Sequence, residues 1–129
     1  AGRFFYQVYF QQPGVAEAEF EADVRTALRK IYYGGSGDIP KGMFRIDKSP
    51  DARMLDSLPD PDVFPAWLTA EDLDYYVAEF EGSGFRGPLN RYRNQQRDWD
   101  QLPALSGARI TPPACFIAGS RDGVLRCAA

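Results

Sequence analysis

Residues 15–33 read VAEAEFEADVRTALRKIYY, and within them Phe20, Val24, Leu28 and Ile31 recur at spacings of four, four and three. That recurrence lines one stripe of an α-helix with apolar side chains, ready to bury against a neighbour. Glu17, Glu19, Glu21 and Asp23 lie toward the start of the stretch, and Arg25, Arg29 and Lys30 toward its end. This order complements a helix dipole, so the acidic run reads as a solvated helix start and not as a metal site. Gly34-Gly35 stops the element. A mainly α-helical chain is the first expectation.

Upstream, residues 3–12 (RFFYQVYFQQ) are dense in aromatics and close at Pro13-Gly14. Alternation groups Phe4, Tyr6, Val8 and Phe10, yet Tyr6 and Phe10 also share a helical face. Helix is preferred, because a lone strand at this point has no partner. Downstream, Gly37, Pro40, Gly42, Pro50, Pro59, Pro61 and Pro65 interrupt any period. They predict a long loop over residues 34–65, with a short turn around Arg53–Leu58. A loop this long is usually functional or supported by other parts of a fold.

Thr69 followed by Asp72 resembles a capping box with Asp in place of Glu, opening a helix over residues 70–82. Leu73, Tyr76, Val77 and Phe80 form its apolar face, and Gly82-Ser83-Gly84 ends it. Gly87-Pro88 opens a further helix over residues 88–99, with Pro in the first turn where it is tolerated. Leu89, Tyr92 and Trp99 fall on one face of it, so Tyr92 should point inward, and both Trp67 and Trp99 are expected in the core. Residues 113–118 (PACFIA) are a short continuous apolar run, the pattern of a strand buried on both faces of a parallel sheet. One such strand cannot satisfy its own backbone groups, so the rest of its sheet must come from elsewhere. Ala1-Gly2-Arg3 carries neither an initiator Met nor a signal-peptide pattern, and the chain is expected to be part of something longer.

Composition narrows the function. At 129 residues, 44% hydrophobic and 26% charged, the chain suits one domain or part of one. Aromatics reach 14%, which suggests an apolar cavity or interface. A net charge of −3 without a basic stripe argues against nucleic acid. Histidine is absent, so neither a Ser-His-Asp or Cys-His arrangement nor a His-ligated zinc site can be completed within these residues. Cys115 and Cys127 lack CxxC spacing and are read as unpaired and reduced, in keeping with a cytoplasmic protein. The longest apolar run, Ala114–Ala118, is far too short to span a bilayer. No cofactor is expected.

Three stretches together resemble the soluble epoxide hydrolases of the α/β-hydrolase superfamily. They are Phe5–Glu19 (FYQVYFQQPGVAEAE), Ser83–Asn94 (SGFRGPLNRYRN) with Trp99 behind it, and Pro113–Asp122 (PACFIAGSRD). The resemblance covers nearly the whole chain and is weakest over the loop 34–65. It implies that residues 1–105 are a helical cap, or lid, and that residues 106–129 are a strand and following loop of the α/β core. It also implies roles for single residues. Tyr6 and Tyr92 match the two cap tyrosines that hold an epoxide oxygen, Asp122 matches the core Asp that orients a catalytic His, and Gln7 and Phe10 would line the substrate site. The family usually has Trp where this chain has Arg91.

The chemistry suits those residue types. Carboxylate attack on an epoxide develops negative charge on the ring oxygen, and two phenol O–H groups converging there would act as an oxyanion hole. The nucleophilic Asp, its oxyanion loop and the His are not in this sequence, so the chain alone is expected to be inactive. The implied partners are a small lipophilic epoxide, the remainder of the core and, as an assembly, a homodimer. Blander readings stand beside these: a tyrosine on an apolar helix face commonly packs with a satisfied hydroxyl, and Asp122-Gly123 is also a turn dipeptide. The alternatives are a haloalkane or haloacid dehalogenase-like hydrolase and a non-catalytic helical interaction module.

Overall fold

The stripe over residues 15–33 forms as expected, but two helices share it. In the computed structural model, which describes residues 4–40 and 49–122, α1 (Tyr6–Tyr9) is a single turn, followed by α2 (Val15–Glu21) and α3 (Val24–Gly35). Asp23 divides the last two. Its backbone is extended, and its carboxylate accepts hydrogen bonds from the Thr26 N–H (2.9 Å) and hydroxyl (2.7 Å). A short carboxylate that can bond nearby backbone competes with a continuing helix and favours a cap instead. Gly14, at φ 85°, makes the turn into α2, and its N–H donates to the Glu17 carboxylate at 2.9 Å.

The loop that follows contains one 3₁₀ turn, Leu55–Ser57, within the stretch where a turn is predicted. Residues 41–48 of the loop lie outside the described residues. α4 (Ala70–Ser83) opens on the capping box as read: the Asp72 N–H donates to the Thr69 hydroxyl oxygen at 3.1 Å, and the Thr69 N–H to the Asp72 carboxylate at 3.0 Å. Gly84, at φ 68°, ends it. The next helix divides as well, into α5 (Arg86–Arg93) and α6 (Gln95–Gln101). α5 starts under a carboxylate from α2, where the Phe85 N–H donates to Glu21 at 2.9 Å.

α2, α3 and α4 bury Ala16, Phe20, Val24, Ala27, Leu28, Leu73 and Val77 together. Phe10, Leu68, Phe85 and Leu89 complete the core from the flanking segments. Burying a side chain of this size contributes about 1.5–3 kcal/mol. Neither tryptophan joins this core. Trp99 is 76% exposed on α6, and Trp67 is half-exposed with its indole N–H on Asp38 at 2.7 Å. The break after Arg93 turns α6 out of the core, which is why Trp99 does not share the inward face of Leu89 and Tyr92.

The expected strand at 113–118 does not form; among the described residues there is none. Phe116 and Ile117 are 82% and 88% exposed, within a segment, Asn94–Asp122, in which every residue is exposed. A strand exists only through hydrogen bonds to a neighbouring strand, and no neighbour is present here. No helix among the described residues is long and apolar enough to cross a membrane. Cys115 is exposed and unpaired, and Cys127 lies outside the described residues.

Candidate active site

α1 has only four residues, too few to persist without tertiary support. An aromatic cluster supplies it. Phe10 is buried, with its ring 5.6 Å from Tyr6, 5.0 Å from Tyr92 and 6.1 Å from Phe20 between centroids. Tyr6 and Tyr92 meet edge to face at 5.9 Å, with their planes at 83°. Both tyrosines are half-buried. The Gln7 side-chain N–H donates to the Tyr6 hydroxyl oxygen at 3.2 Å, an arrangement that leaves the phenolic hydrogen for another acceptor.

The structure therefore brings Tyr6, Gln7, Phe10 and Tyr92 together. Phe10, expected to line a substrate site, is 6% exposed and backs the two tyrosines from the core side. Asp122 lies beyond the helices in the sequence. It is exposed in the segment after α6, in a turn where its N–H donates to the Gly119 carbonyl at 3.0 Å. The adjacent Arg121 reaches Asp38 beyond the end of α3, at 3.0 Å. Arg91 is exposed on α5.

Two acidic residues depart from the solvated helix start expected of them. Glu17 and Glu19 are 9% and 7% exposed. Glu17 takes two hydrogen bonds from the Arg93 guanidinium, at 2.6 and 2.9 Å, and these hold its carboxyl below the usual carboxylate range against the opposing effect of burial. Glu19 accepts from the Tyr9 hydroxyl at 2.6 Å and from the N–H groups of Met54 and Leu55 at 3.1 and 2.9 Å. Burial, and then the Glu19 carboxylate, push the Tyr9 phenol up from its ordinary value. Arg93 for Glu17, and Met54 and Leu55 for Glu19, lie far away in the sequence, which is why helical spacing alone places both glutamates in solvent.

A cleft of about 380 Å³ runs beside α1, lined by Phe4, Phe5, Val8, Tyr9, Val15 and Pro50 among others, and includes neither Tyr6 nor Tyr92. A larger groove of about 670 Å³, between the start of α3 and α4, is rimmed by Glu21, Asp23, Arg25, Asp74 and Glu81 and also excludes both tyrosines. Among the described residues no group of three or more acidic or cysteine side chains could hold a metal.

No protein-family model matches the chain. Individual proteins do. Epoxide hydrolase A of Mycobacterium tuberculosis is 43% identical over 124 residues, covering 95% of this chain and 38% of that protein. Bifunctional epoxide hydrolase 2 of Rattus norvegicus is 38% identical over 124 residues, covering 95% of this chain and 22% of that protein. Among solved structures, epoxide hydrolase A from Mycobacterium thermoresistibile superposes with a TM-score of 0.77 at 45% identity, over 88% of this chain and 35% of its own. An epoxide hydrolase from an endophytic Streptomyces gives 0.78 at 47% identity, over 84% and 34%. The chain thus spans well under half the length of the relatives it matches. In sequence and in backbone, nearly all of it matches a segment of the epoxide hydrolases of the α/β-hydrolase superfamily.

Proposed function

We propose that this chain is the cap-bearing segment of an epoxide hydrolase that hydrates lipophilic epoxides to vicinal diols. The observation that carries the reading is the edge-to-face contact of Tyr6 and Tyr92, two phenols from opposite ends of the cap brought to 5.9 Å. The named relatives support it over a dehalogenase, which needs halide-binding donors in place of a tyrosine pair. In this reading residues 1–105 are the cap and residues 106–129 the start of the second half of the core. The exposed, apolar run at 113–118 becomes a strand when the remaining sheet is present. The exposed thiol of Cys115 suits a reducing, cytoplasmic setting.

The reaction then runs in two steps. A carboxylate oxygen from outside this chain attacks an epoxide carbon, the carbon–oxygen bond of the ring breaks, and the departing alkoxide takes a proton from a phenol. A phenol O–H can both donate a hydrogen bond to the developing alkoxide and give up its proton as a general acid. The Gln7 amide bond to the Tyr6 oxygen fixes the direction in which that donor points. The hydroxy-ester is next cleaved by water activated by a His, with Asp122 holding the imidazole tautomer. The diol is released with the carboxylate restored, and the proton that this hydrolysis frees passes from the His to the phenolate, restoring the phenol.

The test is diol formation from racemic styrene oxide by the full-length protein carrying this chain. Turnover is expected, and Tyr6→Phe or Tyr92→Phe should lower it by roughly two to three orders of magnitude, the usual loss for one oxyanion donor. Full activity in both variants would overturn the assignment.

A further inference from the structure

The side chain next to Tyr92 makes more long-range polar contacts than either tyrosine. The Arg93 Nε–H donates to the Phe10 carbonyl at 2.8 Å, and its terminal nitrogens reach the Gln12 carbonyl (3.3 Å), the Asn90 side chain (3.1 Å) and both oxygens of Glu17 (2.6 and 2.9 Å). The Arg93 and Glu17 side chains are each only 12% exposed. A reciprocal bond runs from the Gln11 side-chain N–H to the Tyr92 carbonyl at 3.2 Å. The two carbonyls that Arg93 holds, of Phe10 and Gln12, lie one and three residues after α1, the single turn that carries Tyr6. Such a turn has no conformational preference strong enough to fix its own place.

We infer that Arg93, clamped by Glu17, is a positioning residue that sets Tyr6 against Tyr92 for ring opening. The inference rests on the epoxide reading above, and its chemistry is specific to a guanidinium. A planar fork satisfies a carboxylate with one edge and carbonyls with the others, so one group fixes α2, the end of α1 and α5 relative to each other. Lysine offers a point charge that cannot meet all of these acceptors at once. A displacement of about 1 Å in a catalytic donor is enough to cost up to a hundredfold in rate.

The test is a double-mutant cycle in the full-length protein, reading ester formation from racemic styrene oxide in single turnovers as added protein mass. Arg93→Gln should slow ester formation by roughly ten- to hundredfold, leave ester hydrolysis unchanged, and be partly rescued by Arg93→Lys. In a Tyr6→Phe background the same change should slow ester formation by less than about twofold, because there is no longer a hydroxyl to place. A purely structural role would lower thermal stability equally in both backgrounds without this coupling in rate. Equal slowing with and without the Tyr6 hydroxyl, or no slowing at all, would overturn the positioning role. Should Arg93→Gln fail to fold, Glu17→Gln goes through the same cycle with the same coupling expected and the same additive result against it. Tyr6→Phe alone forming ester at the full rate would overturn the positioning role, whereas full rates in both Tyr6→Phe and Tyr92→Phe would remove the epoxide reading itself.

Discussion

Glu19 gathers three donors at once, from the Tyr9 hydroxyl and the Met54 and Leu55 backbone, and so fastens the long loop to α2. Glu19→Ala would remove the acceptor that these donors share, at a cost of about 3 kcal/mol, checked by urea denaturation at constant m value. Two shifts of opposite sign contribute to the pH dependence, beside the lowered carboxyls of Asp23 and Asp72 and the raised phenol of Tyr32. Glu17 is lowered from an ordinary 4.5, so its contribution is fully present above that pH and is lost as pH falls below it. Tyr9 is raised from an ordinary 10.0, so its contribution is present below that pH and is lost as pH rises beyond it. The denaturation midpoint should therefore fall below about pH 4.5 and above about pH 10, and Tyr9→Phe should weaken the alkaline arm, to which Tyr32 also contributes, and leave the acid arm unchanged. None of this is legible in the spacing of Glu17 and Glu19. A helical pattern reports which residues share a face, and the partners Arg93, Met54 and Leu55 arrive from distant segments.

Helices with a strong apolar stripe and a cap were legible. α4 matches its expected span to within a residue, because the Thr69 and Asp72 box and the Gly84 stop fix both ends by local chemistry. The stripe over Phe20, Val24 and Leu28 was legible too, but its interruption was not, since Asp23 reads equally as a first-turn acid or as a cap. Asp23→Ala should remove the cap of α3 and lower stability by about 1 kcal/mol, measured as a shift in Tm. The strand at 113–118 failed for a different reason. Its pattern describes a burial that only other strands can provide, and the described residues offer none.

At the scale of the molecule, the core ends with α5, and the segment beyond it exposes Trp99, Leu102, Leu105, Ile110, Phe116 and Ile117. So much apolar surface on a small body should make the 129-residue chain associate with itself, seen as species larger than a monomer in sedimentation velocity. A sharp monomer boundary with a cooperative melt would contradict that. The same chain should form no diol above a buffer blank, because it has no histidine to activate water. Tyr6 and Tyr92 could be singled out in the sequence only through a family resemblance, since composition alone makes them two more aromatic residues in a rich set. Phe10 packs against both rings and Arg93 bonds the Phe10 carbonyl, long-range contacts that no local pattern marks. The most direct measurement compares these tyrosines with Asp122 in the full-length protein, by following added protein mass during a single turnover of styrene oxide. Tyr6→Phe and Tyr92→Phe should leave the ester scarce because its formation is slow, whereas Asp122→Asn should let it form and persist. Ester that accumulates in the tyrosine variants, or that forms slowly in Asp122→Asn, would contradict the account.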